Sequence, residues 1–201
     1  MIRFILVALS VILFLIFSIP ILIAEWLLGK ANPDRKSRQS LAIVQFMFRF
    51  LLRLSGVTVT VRGKEKIPDT SVLYVGNHRS YFDILVGYTT VPGLTGFVAK
   101  KEMDRYILLR DWMRNVNCLF LDRKNIKEGL KTILEGVAKI KAGISIWIFP
   151  EGTRSRGASE LDMLEFKEGS LKIAEKSGHP VVPVAITGTA EVFEAHMPFI
   201  R

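Results

Sequence analysis

Val72-Leu73-Tyr74-Val75-Gly76 runs directly into Asn77-His78-Arg79-Ser80-Tyr81-Phe82-Asp83. The first five residues read as a short buried strand, and the residues from Ser80 to Val91 read as a helix. The same alternation continues outward in both directions. Strands are expected at Val57–Val61, Gly96–Ala99, Cys118–Leu121, Ile144–Phe149 and Val181–Ile186. Helices are expected at Lys101–Asn115, Asn125–Ala142 and Glu165–Ser177, with Gly143 and Gly178 closing the last two as C-terminal glycines do. Near-continuous apolar strands alternating with helices predict an α/β fold, a mostly parallel sheet covered by helices. Ligands of such sheets gather at the carboxyl ends of strands.

His78 then falls at a strand's carboxyl end and Asp83 in the first turns of a helix. That placement can bring the carboxylate to one imidazole nitrogen and leave the other facing a substrate. The carboxylate fixes the tautomer and stabilises the imidazolium formed when histidine takes a proton. A histidine satisfied by a local helix-cap hydrogen bond is the competing reading. A second constellation, Phe149-Pro150-Glu151-Gly152-Thr153-Arg154-Ser155, leaves the Ile144–Phe149 strand. Gly152 allows a tight turn, Thr153 and Ser155 offer hydroxyls, and Arg154 supplies a planar fork suited to a phosphate monoester. The plainer alternative is a surface turn with a Glu151–Arg154 ion pair. Lys100 and Lys101 follow Gly96–Ala99, and Asp122-Arg123 follows Cys118–Leu121. Singly, such cations are usually solvated charges. Their recurrence at successive strand ends points to one edge of the sheet.

Composition narrows the function classes. Apolar residues make up 49% of the 201, which excludes a disordered scaffold. One cysteine, Cys118, excludes an intrachain disulfide framework and a multi-cysteine zinc site. Three histidines without a His-x-x-x-His pair argue against a histidine-built metal centre. There is no Gly-x-x-x-x-Gly-Lys loop, no Gly-x-Gly-x-x-Gly fingerprint and no Gly-x-Ser-x-Gly elbow. A His–Asp pair with no protein nucleophile beside it suggests that the substrate's own hydroxyl attacks.

The net charge of +9 raises nucleic acid first, but a long uncharged apolar run argues for a bilayer partner and no nucleic acid. Phe4–Ala24 is 21 residues without a charge, about 31 Å long as a helix and close to the hydrocarbon thickness of a membrane. A cleaved signal peptide would have a shorter apolar core and an Ala-x-Ala site. Pro20 can kink the helix, so a full span, a re-entrant segment and a shallow insertion all stay open. A second helix is expected at Ser37–Leu54 after the Asn32-Pro33-Asp34 turn. Its Leu41, Val44, Phe46, Met47, Phe50, Leu51 and Leu54 share an apolar face flanked by Arg49 and Arg53. The favoured reading places it in the membrane interface; the alternative packs it on the catalytic domain. Met1–Gly56 carries seven basic and two acidic residues, a belt suited to anionic headgroups. Positive-inside bias places the Lys30–Arg38 cluster, and the catalytic domain after it, on the cytoplasmic face of the cell membrane. The organisation expected is an N-terminal membrane-associated helix pair at 1–56 and a catalytic domain at 57–201.

The motifs have a family likeness. Asn77-His78-Arg79-Ser80-Tyr81-Phe82-Asp83 resembles the first motif of the glycerolipid acyltransferase family, and Phe149-Pro150-Glu151-Gly152-Thr153-Arg154 resembles its phosphate-binding motif. Phe120-Leu121-Asp122-Arg123, Phe166-Lys167-x-Gly169 and Val182-Pro183-Val184 are similar to further blocks, in the family's order, over about Val57 to Ile186. The most similar subgroup is the 1-acylglycerol-3-phosphate acyltransferases of bacterial type. The resemblance implies acyl transfer from acyl-CoA or acyl-carrier protein to the sn-2 hydroxyl of lysophosphatidic acid, giving phosphatidic acid. It implies His78 as general base, Asp83 as its orienting partner, and Arg154 with Gly152 and Thr153 on the acceptor phosphate. Glu151 would shape that site, and Arg123 and Lys100 would be further phosphate ligands. No metal or redox cofactor is implied. The rival expectations are a different lysophospholipid or lyso-aminolipid acceptor, a lysophospholipase, or a non-catalytic membrane lipid-binding module. The family usually continues past Val-Pro-Val with further strands, so a chain ending at Arg201 is expected to be a shortened member or a truncated one.

Overall fold

The computed structural model describes all 201 residues, Met1–Arg201. Five strands form one parallel sheet: β1 (Leu73–Gly76), β2 (Thr95–Lys100), β3 (Leu119–Leu121), β4 (Ser145–Ile148) and β5 (Val181–Val184), in the order β3-β2-β4-β1-β5. β1 and β4 are neighbours, with Tyr74 opposite Trp147. Their carboxyl ends therefore release Asn77-His78 and Pro150-Glu151 side by side. Strand pairing brings the two motifs together across some seventy residues of sequence.

Side chains alternate between two buried layers, as the two-residue period of a strand requires. Tyr74 and Trp147 face Phe97, Tyr88 and Trp112 in one layer. Leu73, Ile146 and Ile148 face Leu119, Ile140 and Ile173 in the other. The first layer is covered by α4 (Phe82–Thr90) and α5 (Ile107–Asn115), the second by α6 (Ile126–Lys141) and α7 (Lys172–Ser177). Pro183 is tolerated because β5 is an edge strand that pairs only with β1.

In the amino-terminal third a bend forms beside Pro20, one of the options the sequence left open, and two expectations are corrected. The 21-residue apolar run does not form one helix. It breaks into α1 (Ile2–Phe17) and α2 (Ile19–Ala31), bent by 50°. Pro20, at the start of α2, has no N–H to continue the ladder. No single helix is long and apolar enough to cross a membrane, although the bent pair together passes by length and composition. The bend at Ser18 is anchored to the domain: Trp112 Nε1 donates to Ser18 Oγ at 2.9 Å, and Phe14 packs on the Trp112 ring.

The next helix, α3 (Pro33–Leu54), starts at the expected turn, with Asn32 Oδ1 accepting from the Arg35 N–H. Its apolar face was expected in the membrane interface. Instead Leu41, Val44, Met47, Leu51 and Leu52 are buried by protein, and Leu41 and Val44 share a core with Tyr74 and Trp147. Each such burial stabilises by about 1.5–3 kcal/mol. Phe46 and Phe50 remain exposed beside Arg49 and Arg53.

Val57–Val61 is not a strand. Val57 and Val59 pack on Leu52 and Phe82 with no ladder partner. The expected Lys101–Asn115 helix opens as a 3-10 turn over Lys101–Arg105, in which Asp104 pairs with Arg114 at 2.8 Å; α5 begins only at Ile107. Similarly, Glu168–Leu171 is a 3-10 turn ahead of α7.

Candidate active site

The site begins with Asn77, directly after β1. Its side chain donates to the Ile186 carbonyl and accepts from the Ile186 N–H, both at 2.8 Å. This clamp fixes the chain leaving β5 beside the chain leaving β1. His78 follows. Its main-chain N–H donates to Glu151 Oε1 at 2.7 Å, and its carbonyl accepts from the Ser155 N–H at 2.7 Å. The backbone of His78 is thus held at both polar groups by the loop after β4.

The imidazole is set by Asp83. His78 Nδ1 lies 2.9 Å from Asp83 Oδ2. That oxygen also accepts from the Arg79 and Ser80 N–H groups at 2.7 and 2.8 Å. Ser80 Oγ in turn accepts from the Phe82 N–H. Ser80 and Asp83 together form a reciprocal cap at the start of α4, and the cap explains how the carboxylate stays buried yet satisfied. Asp83 Oδ1 accepts from Thr189 Oγ1 at 2.5 Å. An acceptor-only carboxylate at Nδ1 assigns the proton to that nitrogen and leaves a lone pair on Nε2. Phe149 stacks on the ring at 4.0 Å between centroids, with planes 11° apart, so the imidazole cannot tilt freely. The His78 side chain keeps 14% exposure. The two readings of this histidine merge, since the cap and the His–Asp pair use the same carboxylate.

The β4 loop carries the second group of expected residues. Glu151 is buried; its Oε1 holds His78 and its Oε2 accepts from the Leu164 N–H at 2.8 Å. It makes no ion pair with Arg154, so the plain surface-turn alternative is not what forms. Gly152 adopts φ 74°, the left-handed region that only glycine enters without strain. Arg123, after β3, donates from Nη1 to the Gly152 carbonyl. The residue is exposed overall, but burial of its head at this turn lowers the guanidinium pKa, with Glu102 acting in the opposite direction. Arg154 Nη1 pairs with Glu194 Oε1 at 2.7 Å, and its guanidinium lies 3.8 Å over the Tyr81 ring. Glu194 Oε1 also accepts from the Tyr81 N–H. Thr153 is exposed at the turn. Lys100, at the end of β2, is exposed and forms neither an ion pair nor a side-chain hydrogen bond.

The structure therefore gathers His78, Asp83, Glu151, Gly152, Arg154 and Arg123 around the ends of β1 and β4. Asn77 entered the sequence reading only as the first residue of its motif, without a role, and Thr189 and Glu194 were not singled out. Each acts through a partner more than thirty-five residues away, which no local spacing reveals. The lone thiol is no rival nucleophile: Cys118 is buried against the Tyr88 hydroxyl, and burial pushes its pKa up.

A family model described as Acyltransferase matches residues 58–187. The chain is 36% identical over 144 residues to a probable 1-acyl-sn-glycerol-3-phosphate acyltransferase of Mycoplasma pneumoniae, covering 69% of this chain and 52% of that protein. It is 31% identical over 163 residues to the 1-acyl-sn-glycerol-3-phosphate acyltransferase of Borreliella burgdorferi, covering 81% of this chain and 64% of that one. The chain thus spans about half to two-thirds of the length of these relatives. The crystal structure of the 1-acyl-sn-glycerophosphate (LPA) acyltransferase from Thermotoga maritima superposes with a TM-score of 0.79 at 27% identity, covering 96% of this chain and 76% of that one. With the motif order, the parallel sheet and the matched model in agreement, the chain belongs to the Acyltransferase family.

Proposed function

We propose that this chain transfers a fatty acyl group from a thioester, acyl-CoA or acyl-carrier protein, to the sn-2 hydroxyl of lysophosphatidic acid, forming phosphatidic acid. The observation that carries this reading is the His78–Asp83 pair, with Nδ1 committed to a saturated carboxylate and Nε2 left open. The acceptor hydroxyl gives its proton to Nε2 as its oxygen attacks the thioester carbonyl. The new C–O bond forms, the C–S bond breaks, and the imidazolium returns the proton to the departing sulfur. Proton transfer of this kind is worth about 10²–10⁴-fold. A thiol leaves readily, so no acyl-enzyme is required.

Arg154 is the principal phosphate ligand in this reading. Glu194 takes one donor of its five-donor fork and orients the rest. Arg123, Gly152 and Thr153 complete the headgroup site, with Lys100 as a further cation at the edge of the sheet. Glu151 keeps the β4 loop against His78. Exposed Ile5, Leu9, Ile12, Phe17 and Trp26 on α1 and α2 insert into the membrane surface, with Arg49 and Arg53 towards anionic headgroups on the cytoplasmic side. The acceptor is then met where it already resides.

The test is an assay on membranes containing this chain, with lysophosphatidic acid and labelled acyl-CoA or acyl-carrier protein, and His78→Ala in parallel. Phosphatidic acid from the unaltered chain alone is expected. Near-normal turnover by a folded His78→Ala protein would overturn the base assignment. Free fatty acid in place of phosphatidic acid would replace the acceptor by water.

A further inference from the structure

An open cleft of about 520 Å³ lies between α2 and α3. Pro20, Ile21 and Leu28 give it apolar walls, while Arg35 and Gln39 stand on the α3 side. Glu25 also lines it. This side chain is 1% exposed, and neither carboxylate oxygen has a hydrogen-bond partner. The Ser40 hydroxyl and the Lys36 ammonium are near enough to act on its charge. Neither meets a carboxylate oxygen in hydrogen-bond geometry, although the Ser40 hydroxyl stands close enough to serve as a donor: Ser40 Oγ is itself buried without a partner, and Lys36 lies across Gly29.

The other two buried carboxylates show how unusual this is. Asp83 accepts four hydrogen bonds, and Glu151 uses both of its oxygens. A buried carboxylate with only Ser40 and Lys36 to offset its charge is unfavourable, and a donor arriving from outside the fold stabilises it. The cation beside it is equally free. Arg35 forms no ion pair, whereas neighbouring Arg38 is engaged by Asp34 at 2.8 Å. The cleft thus offers an anion within, a cation at its rim and an aliphatic wall.

A ligand complementary to all three carries an ammonium, a phosphate and a hydrocarbon tail. We propose that the α2–α3 cleft binds the head group of an aminophospholipid, with its ammonium on Glu25 and its phosphate on Arg35. The cleft opens within the segment where exposed Ile16, Phe17, Ile23, Trp26 and Leu27 concentrate, which supplies a path for the acyl chains. Lysophosphatidic acid fits poorly, because it brings no cation to Glu25. The inference stands independently of the acyl-transfer reading.

The test uses the full chain, purified in detergent and stripped of lipid, with native mass spectrometry after addition of phosphatidylethanolamine or phosphatidylglycerol. Phosphatidylethanolamine is expected to bind at least about tenfold more tightly, the scale of one charge-assisted hydrogen bond. Glu25→Gln should bring it down to the phosphatidylglycerol level, and Arg35→Gln should weaken both. Without lipid, Glu25→Gln should melt no lower than the unaltered chain, since it removes a buried charge that no hydrogen bond completes. Equal binding of the two lipids, or undiminished phosphatidylethanolamine binding by Glu25→Gln, overturns the proposal. So does a lower melting temperature for lipid-free Glu25→Gln, which would make Glu25 a structural partner of Ser40 and Lys36.

Discussion

Thr189 Oγ1 donates to Asp83 Oδ1 at 2.5 Å, so the carboxylate that orients His78 is completed from 106 residues further along the chain. Thr189 opens the short helix α8 (Thr189–Val192), just after Gly188 turns the backbone at φ 78°. Thr189→Val keeps the shape and removes the donor. A buried acceptor left unpaired costs about 1–3 kcal/mol, which urea unfolding reads directly. The carboxylate then gains rotational freedom, so kcat should fall about tenfold with KM held, and Thr189→Ser should restore it. Unchanged kcat in a folded Thr189→Val protein would show that the three donors on Oδ2 suffice.

Asp83→Asn tests the pair itself. The amide preserves volume but presents a different donor pattern to Nδ1, so the tautomer with an open Nε2 is no longer enforced. The expected loss in kcat is about 10²–10⁴-fold, with KM nearly unchanged. The cap to Arg79 and Ser80 weakens at the same time. Thermal unfolding of the same sample separates the two effects: a folded protein with the full rate loss supports the orienting role, and a rate within a few-fold of the unaltered chain removes it.

Much of this was legible in the sequence where a residue's partner is local or strictly periodic. β1, β2 and β4 announce themselves as apolar runs because both faces of each are covered, whereas β5, at the sheet edge, keeps Val181 and Pro183 exposed. His78 and Asp83 are five apart, and the strand–helix junction alone brings them together. Val57–Val61 misleads because alternation reports half-burial, and these valines are half-buried on Leu52 and Phe82 without a neighbouring strand. The face of α3 misleads for a related reason. An amphipathic stripe declares that something apolar covers it and leaves open whether that is lipid or Tyr88 and Trp112. The Arg154–Glu194 pair is invisible from spacing, since its two halves are 40 residues apart.

Gly152→Ala bears on the turn that carries the headgroup ligands. At φ 74° an alanine is strained by roughly 1–2 kcal/mol, and its Cβ would stand 3.0 Å from Arg123 Nη1. The expected result is a stability loss of that size together with displacement of Arg123 from the Gly152 carbonyl. KM for lysophosphatidic acid should rise while kcat at saturation changes little. Equal KM would separate Arg123 from acceptor binding.

Arg154 poses the sharpest question, because an arginine paired with Glu194 and stacked on Tyr81 has the contacts of a strut as well as those of a ligand. The two roles predict different measurements. As a ligand, Arg154 makes charge-assisted hydrogen bonds to the acceptor phosphate. Their loss in Arg154→Ala should raise KM for lysophosphatidic acid by about 10–100-fold, leave kcat within a few-fold, and hardly affect a phosphate-free monoacylglycerol acceptor. Arg154→Lys should recover only part, lacking the planar fork. As a strut, its removal would strand the Glu194 carboxylate, whose Oε2 is already buried without a partner, and loosen Tyr81 at the start of α4. Stability would then fall, and both acceptors would suffer alike through His78. Running the two acceptors against Arg154→Ala decides between these roles: a penalty confined to the phosphorylated acceptor assigns the guanidinium to the headgroup, and an equal penalty assigns it to the scaffold.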